Sequence, residues 1–225
     1  MPFFPISAAA QARAFPFALF MALLALRGYW PDSATLDTRW IYGLSVLGVG
    51  ALLHHYWRDY GELARQNWPT ASEAVLSIVV GIAVFALWIR LDAPWMQLSE
   101  PTAGFLPIDL QGQLIWPLIA LRFIGAALIV PVMEELFWRS FLMRWIEQSG
   151  FAQVDPQQVG FKAIVLSTFV FMLAHTLWLA AIVAGLAYAW LYRRSGKLWT
   201  AVIAHAVTNA LLGIWVVKTG QWQFW

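Results

Sequence analysis

The stretch PVMEELFWRSFLMRW, Pro131–Trp145, sets two adjacent glutamates and an arginine inside one of the most apolar regions of the chain. A charge at mid-bilayer costs roughly 2.5–3.5 kcal/mol even on lenient insertion scales, so Glu134, Glu135 and Arg139 need a reason to be there. Helical spacing supplies part of it. Glu135 and Arg139 are four residues apart, on one helical face, and can pair. Glu134 is rotated about 100° from Glu135 and points elsewhere. One glutamate can be neutralised while its neighbour stays free to react. The plain alternative is a buried ion pair beside a glutamate that snorkels to water near a helix end.

The rest of the chain has the composition of a bilayer protein. Of 225 residues, 61% are hydrophobic and 12% charged, where a soluble domain carries about 25% charged residues. Mean hydropathy is +0.65. The 15 tryptophans suit a chain with aromatic belts at two water interfaces. The length fits one integral membrane domain, residues 1–225. Net charge is +2, with basic residues scattered singly between spans apart from Arg193, Arg194 and Lys197. Such scatter serves orientation rather than phosphate binding, so no nucleic-acid partner is expected. There is no cysteine, which excludes a disulfide framework, a thiol nucleophile and a thiolate metal site. The apolar run Ala14–Leu26 lacks a small-residue cleavage site after it and reads as a retained span.

Because a span needs about 20 apolar residues, the candidates are 14–30, 40–57, 71–90, 113–146, 161–177, 178–194 and 197–217. The expected fold is therefore all-α, a polytopic bundle of about seven helices, or eight if the over-long fourth divides near Pro131. The fifth and sixth run together around Thr176–Trp178. The connection Leu91–Gly112 contains Asp92, Glu100, Asp109 and three prolines and reads as an irregular loop. Residues 1–112 form scaffold spans poor in polar groups; residues 113–217 hold nearly all the intramembrane polar residues. Arg58, Arg65, Arg144, Lys162, Arg193, Arg194 and Lys197 fall on one side if the N-terminus is cytoplasmic, and Arg90 on the other. Arg27 and Arg39 run against that pattern.

Two further stretches put polar groups into apolar helices. FVFMLAHTLW places His175 deep in hydrocarbon, with Phe171 four residues before it. AVIAHAVTNALLG places His205 and Asn209 four apart on one face. The bland readings are a histidine satisfied by a carbonyl and an interhelical hydrogen-bond clamp. His54 and His55 sit among aromatics at a span end and read as interfacial. If Glu134, His175 and His205 converge from three helices, they line a polar pocket walled by hydrocarbon. Desolvation favours proton uptake by a carboxylate in such a place, which suits a general base. Glu134 would be that base, His175 would hold or relay the proton, and His205 and Asn209 would donate to a developing oxyanion. These are the parts for water attack on an amide.

The same three stretches resemble the motifs of the CPBP intramembrane proteases, the CAAX protease and bacteriocin-processing family that includes the CAAX prenyl endopeptidase Rce1 and the bacterial Abi proteins. EELFWR matches EExxxR, FMLAH matches FxxxH and HAVTN matches HxxxN, in the family's order. TGQWQFW at the end of the chain, with LWIRLDAPWM at Leu87–Met96, further resembles a CAAX-protease-related subgroup associated with exosortase/PEP-CTERM systems. The resemblance implies a peptidase with a conical pocket open to the membrane. It implies Glu134 as base on water, Glu135 and Arg139 as a supporting pair, His175 as orienter and His205 with Asn209 as oxyanion hole. It implies membrane lipid and a membrane-associated peptide or protein tail as partners, in a bacterial inner membrane if the source is bacterial. A metal-independent mechanism is expected, with no cofactor. The zinc alternative would use Glu134, His175 and His205 as ligands. Two other readings compete: a non-catalytic membrane partner or immunity protein that keeps the motif for structure, and a small transporter or proton channel. The second needs a continuous polar path, for which residues 1–90 offer few groups.

Overall fold

The computed structural model describes residues 7–29, 37–98 and 105–225. Among them run seven α-helices: α1 (Ala8–Tyr29), α2 (Trp40–His55), α3 (Ala71–Trp88), α4 (Trp116–Glu147), α5 (Phe161–Leu173), α6 (Trp178–Ser195) and α7 (Leu198–Thr219). The described residues contain no named strand, only two isolated bridges. The all-α bundle and its seven helices follow the hydropathy pattern. Trp30, expected to end the first span, and Glu100 in the long loop lie outside the described residues.

Four helices, α1, α3, α4 and α7, are long and apolar enough to cross a membrane, and the chain is an integral membrane protein. α2 and α5 are shorter apolar helices. The 13 residues of α5 rise only about 20 Å, against a hydrocarbon core of about 30 Å. The continuous run read from the sequence as 161–177 and 178–194 is thus broken within its apolar part, at Ala174–Leu177. Unwound backbone at that depth is tolerated where protein buries it or where it lines a cavity. The second applies, since Ala174 and His175 line the central cavity; the loop after α3 also bonds to the break, Leu98 N–H donating to Thr176 O at 2.9 Å.

The long fourth segment is one helix of 32 residues, not two. It absorbs Pro131 by widening into a π turn over Gly125–Ile129. In that turn Val130 N–H reaches back to Gly125 O. The next donor in the register would be residue 131, and proline has none. Ala126 O is therefore released from the ladder and accepts a bond from another helix. A second π stretch, Leu136–Met143, carries Arg139.

α7 is the central helix, with half of its apolar window buried against 17% for α3. It packs on α3, α6 and the first π turn of α4, while the α1–α2 pair covers α4. Close approach needs small residues where burying apolar surface gives no drive in lipid. A Cβ on Gly81 of α3 would stand 2.5 Å from Ala204 O of α7, and one on Gly125 would strike Val46 and Tyr42 of α2. One end of the bundle is tied by a buried network. The Arg13 fork grips Glu62 at 2.6 and 2.8 Å, Ser140 of α4 donates to the same carboxylate, and Arg144 Nη2 donates to Ser140 Oγ at 3.0 Å.

Candidate active site

Glu134, His175, His205 and Asn209 all line one cavity of about 260 Å³. Three elements deliver them: α4 brings Glu134, the break after α5 brings His175, and α7 brings the other two. The one-residue step from Glu134 to Glu135 separates their environments as helical rotation requires. Glu135 is fully buried. Its Oε1 accepts from Arg139 Nη1 at 3.0 Å and meets His205 Nδ1 at 2.8 Å. Glu134 makes no hydrogen bond or ion pair among the described residues, and its Oε2 is buried without a partner. The pairing of Glu135 with Arg139 is as the spacing dictates. The bond to His205 is an addition that the spacing does not reveal.

The histidines are each fixed at Nδ1. His205 Nδ1–H donates to Glu135, so its Nε2 donates only when the ring is an imidazolium. Tyr188 of α6 lies flat against the ring, centroids 5.0 Å apart and planes within 19°. The Tyr188 hydroxyl donates to Thr208 Oγ1 at 2.8 Å, which fixes the stacked ring in turn. His175 Nδ1–H donates to Phe171 O at 2.8 Å, which leaves a lone pair on Nε2. Trp88 meets the His175 ring edge-on at 5.8 Å. Glu134, His205 and Arg139 all lie near enough to act electrostatically on His175.

Asn209 Nδ2 donates to Ala126 O at 2.8 Å, the carbonyl that the π turn releases. The clamp expected as its bland reading is therefore present. The amide retains a second N–H, so clamping and donation into the cavity are compatible.

The zinc alternative can be tested on this donor set. Both histidines bond through Nδ1 within the fold and keep Nε2 for a water or an ion, and among the described residues no three His, Cys, Asp or Glu side chains gather with metal-ligand spacing. Glu134, His175 and His205 share a cavity without forming a ligand cluster.

Tyr188, Thr208 and Arg122 also line this cavity and are not motif positions. The signal for Arg122 was available, as a lone arginine within the apolar run WPLIALRFIGAALIV. Tyr188 and Thr208 carried none, because a single hydroxyl in a membrane helix is ordinary.

Residues 116–211 match the family described as type II CAAX prenyl endopeptidase Rce1-like. The matched stretch contains all three motifs and both π turns. No curated protein and no solved structure matches the chain.

Proposed function

We propose that this chain, whose residues 116–211 belong to the Rce1-like type II CAAX prenyl endopeptidase family, is an intramembrane endopeptidase that hydrolyses a membrane-associated peptide or protein tail with water activated by Glu134. The observation that carries the proposal is the contrast between adjacent glutamates. Each keeps an Oε2 without a partner, but Glu135 is committed through Oε1 to Arg139 and His205, whereas Glu134 lines the cavity and makes no hydrogen bond or ion pair among the described residues.

In the proposed reaction Glu134 takes a proton from water while His175 Nε2 accepts the water's other hydrogen and aims its oxygen. The water oxygen bonds to the scissile carbonyl carbon. Negative charge moves to the carbonyl oxygen, where imidazolium His205 Nε2–H and the second N–H of Asn209 Nδ2 receive it. Glu135 holds the His205 ring in that orientation and offsets its charge, and Arg139 holds the Glu135 carboxylate in place. The carbon–nitrogen bond then breaks, and Glu134 returns its proton to the departing amine. No step requires a metal. The cavity is lined mostly by apolar side chains, and such a lining strengthens each of these polar interactions.

The test compares protein C-termini in membranes of cells carrying wild type or Glu134→Gln. The expected result is a set of shortened C-termini present only with wild type, with Glu134→Gln protein inserted at equal level. Identical termini in the two membranes would leave the chain as a non-catalytic partner.

A further inference from the structure

The cavity extends past the four motif residues to Arg122, a cation that the proposed reaction does not use. Arg122 lies on α4, twelve residues before Glu134, and lines the same cavity. The other arginines of the bundle interior meet oxygen. Arg139 meets Glu135 at 3.0 Å, Arg13 meets Glu62 at 2.6 Å and Arg144 Nε meets Ser140 O at 2.6 Å. Among the described residues Arg122 meets rings instead. Its guanidinium carbon is 4.4 Å from the Tyr42 centroid and 5.3 Å from that of Phe105. Among the described residues it has no hydrogen bond and no ion pair, and its Nε is buried without a partner.

An intramembrane arginine without an acceptor is costly, and such residues mark ligand paths. The guanidinium carbon sits over the Tyr42 and Phe105 rings, and with no oxygen acceptor among the described residues its N–H donors remain for a ligand. That fork matches a planar carboxylate in bidentate fashion. Twelve helical residues separate Arg122 from Glu134 by about 18 Å along the axis. An extended peptide at about 3.3 Å per residue covers that distance in about five residues, fewer once the arginine reaches inward.

We propose that Arg122 is a specificity-determining residue of the cavity that binds a carboxylate of the bound peptide. Its ligand class builds on the peptidase reading, but binding is measurable without turnover, so failure of one reading is distinguishable from failure of the other. The experiment uses full-length protein carrying Glu134→Gln in phosphatidylcholine nanodiscs. Three degenerate libraries of apolar hexapeptides are offered: free C-terminal acid, C-terminal amide, and amide with one internal glutamate. The expected result is retention of a carboxylate-bearing library over the plain amide by about tenfold or more. Preference for the free acid identifies a terminal carboxylate, and preference for the glutamate library a side-chain one. Adding Arg122→Met abolishes the preference, and Arg122→Lys keeps a weaker one, since a point charge lacks the fork.

A second readout separates recognition from support. Removing an unpaired cation from an apolar site relieves a cost, so Arg122→Met is expected to unfold at a temperature equal to or above that of its parent. Equal retention of the three libraries, or a preference that survives Arg122→Met, overturns the proposal. An Arg122→Met protein that fails to fold makes the residue structural and overturns it as well. A preference that disappears when phosphatidylglycerol replaces phosphatidylcholine assigns Arg122 to a lipid phosphate and overturns it too.

Discussion

Glu134 and Glu135 differ in what each can lose. Glu135 sits between Arg139 and His205, all three buried. Replacing it with alanine strands Arg139 as an uncompensated buried charge, which costs about 3–5 kcal/mol. Glu135→Ala is therefore expected to lower the unfolding temperature sharply in detergent, with activity lost through the fold. Glu134→Gln removes no hydrogen bond and is expected to keep the unfolding temperature within a few degrees while cleavage falls about 100-fold or more, the scale of a general base. Asn209→Ala frees Ala126 O again and is expected to cost about 1–3 kcal/mol. That loss is read as a lower unfolding temperature beside any loss of rate.

At the scale of elements, the π turn before Pro131, the break after α5 and the crossing of α3 with α7 position these residues. Gly81 lets α3 approach α7 beside Thr208, whose Oγ1 donates to Gly81 O at 2.9 Å. Gly81→Leu is expected to force the helices apart, costing about 1–3 kcal/mol, and to tilt His205 and Asn209 away from Glu134; melting and cleavage assays on one preparation read both effects. The spacing E-E-x-x-x-R predicts the division of labour between the glutamates because a 100° rotation is local geometry. The seven helices are legible because hydropathy is local too. The release of Ala126 O in the first π turn and the break at Ala174–Leu177 are not. Each depends on a distant partner, Asn209 for Ala126 O and Leu98 for Thr176 O, and no window of sequence contains both. For the same reason the sequence pairs Glu135 with Arg139 and misses His205, 70 residues away.

At the scale of the molecule, the Arg13–Glu62–Ser140 network joins α1, the loop before α3 and α4. Burial pushes the Glu62 carboxyl up, but the hydrogen bonds and charge of Arg13, with the Ser140 hydroxyl, outweigh it and hold the group below its ordinary value. A carboxyl lowered in the folded state stabilises the fold above its unfolded value, and that stabilisation is lost as pH falls through the folded one. Acidification below about pH 4.3, the unperturbed glutamate value, is therefore expected to lower the unfolding temperature. Glu62→Gln starts lower and falls less over the same range. Because the chain has no cysteine, single cysteines report its orientation directly. With the N-terminus cytoplasmic, Arg194→Cys is expected to react from the cytoplasmic side and Arg90→Cys from the other. The central claim is that Glu134 activates water without a metal. It is tested most directly by the cleavage rate of a Glu134-dependent peptide in nanodiscs, for wild type and Glu134→Gln, before and after chelation. The account predicts a wild-type rate unchanged by chelator and a Glu134→Gln rate reduced about 100-fold or more. Folded Glu134→Gln protein cleaving within a few-fold of wild type, or wild-type activity lost on chelation and restored by zinc, would contradict it.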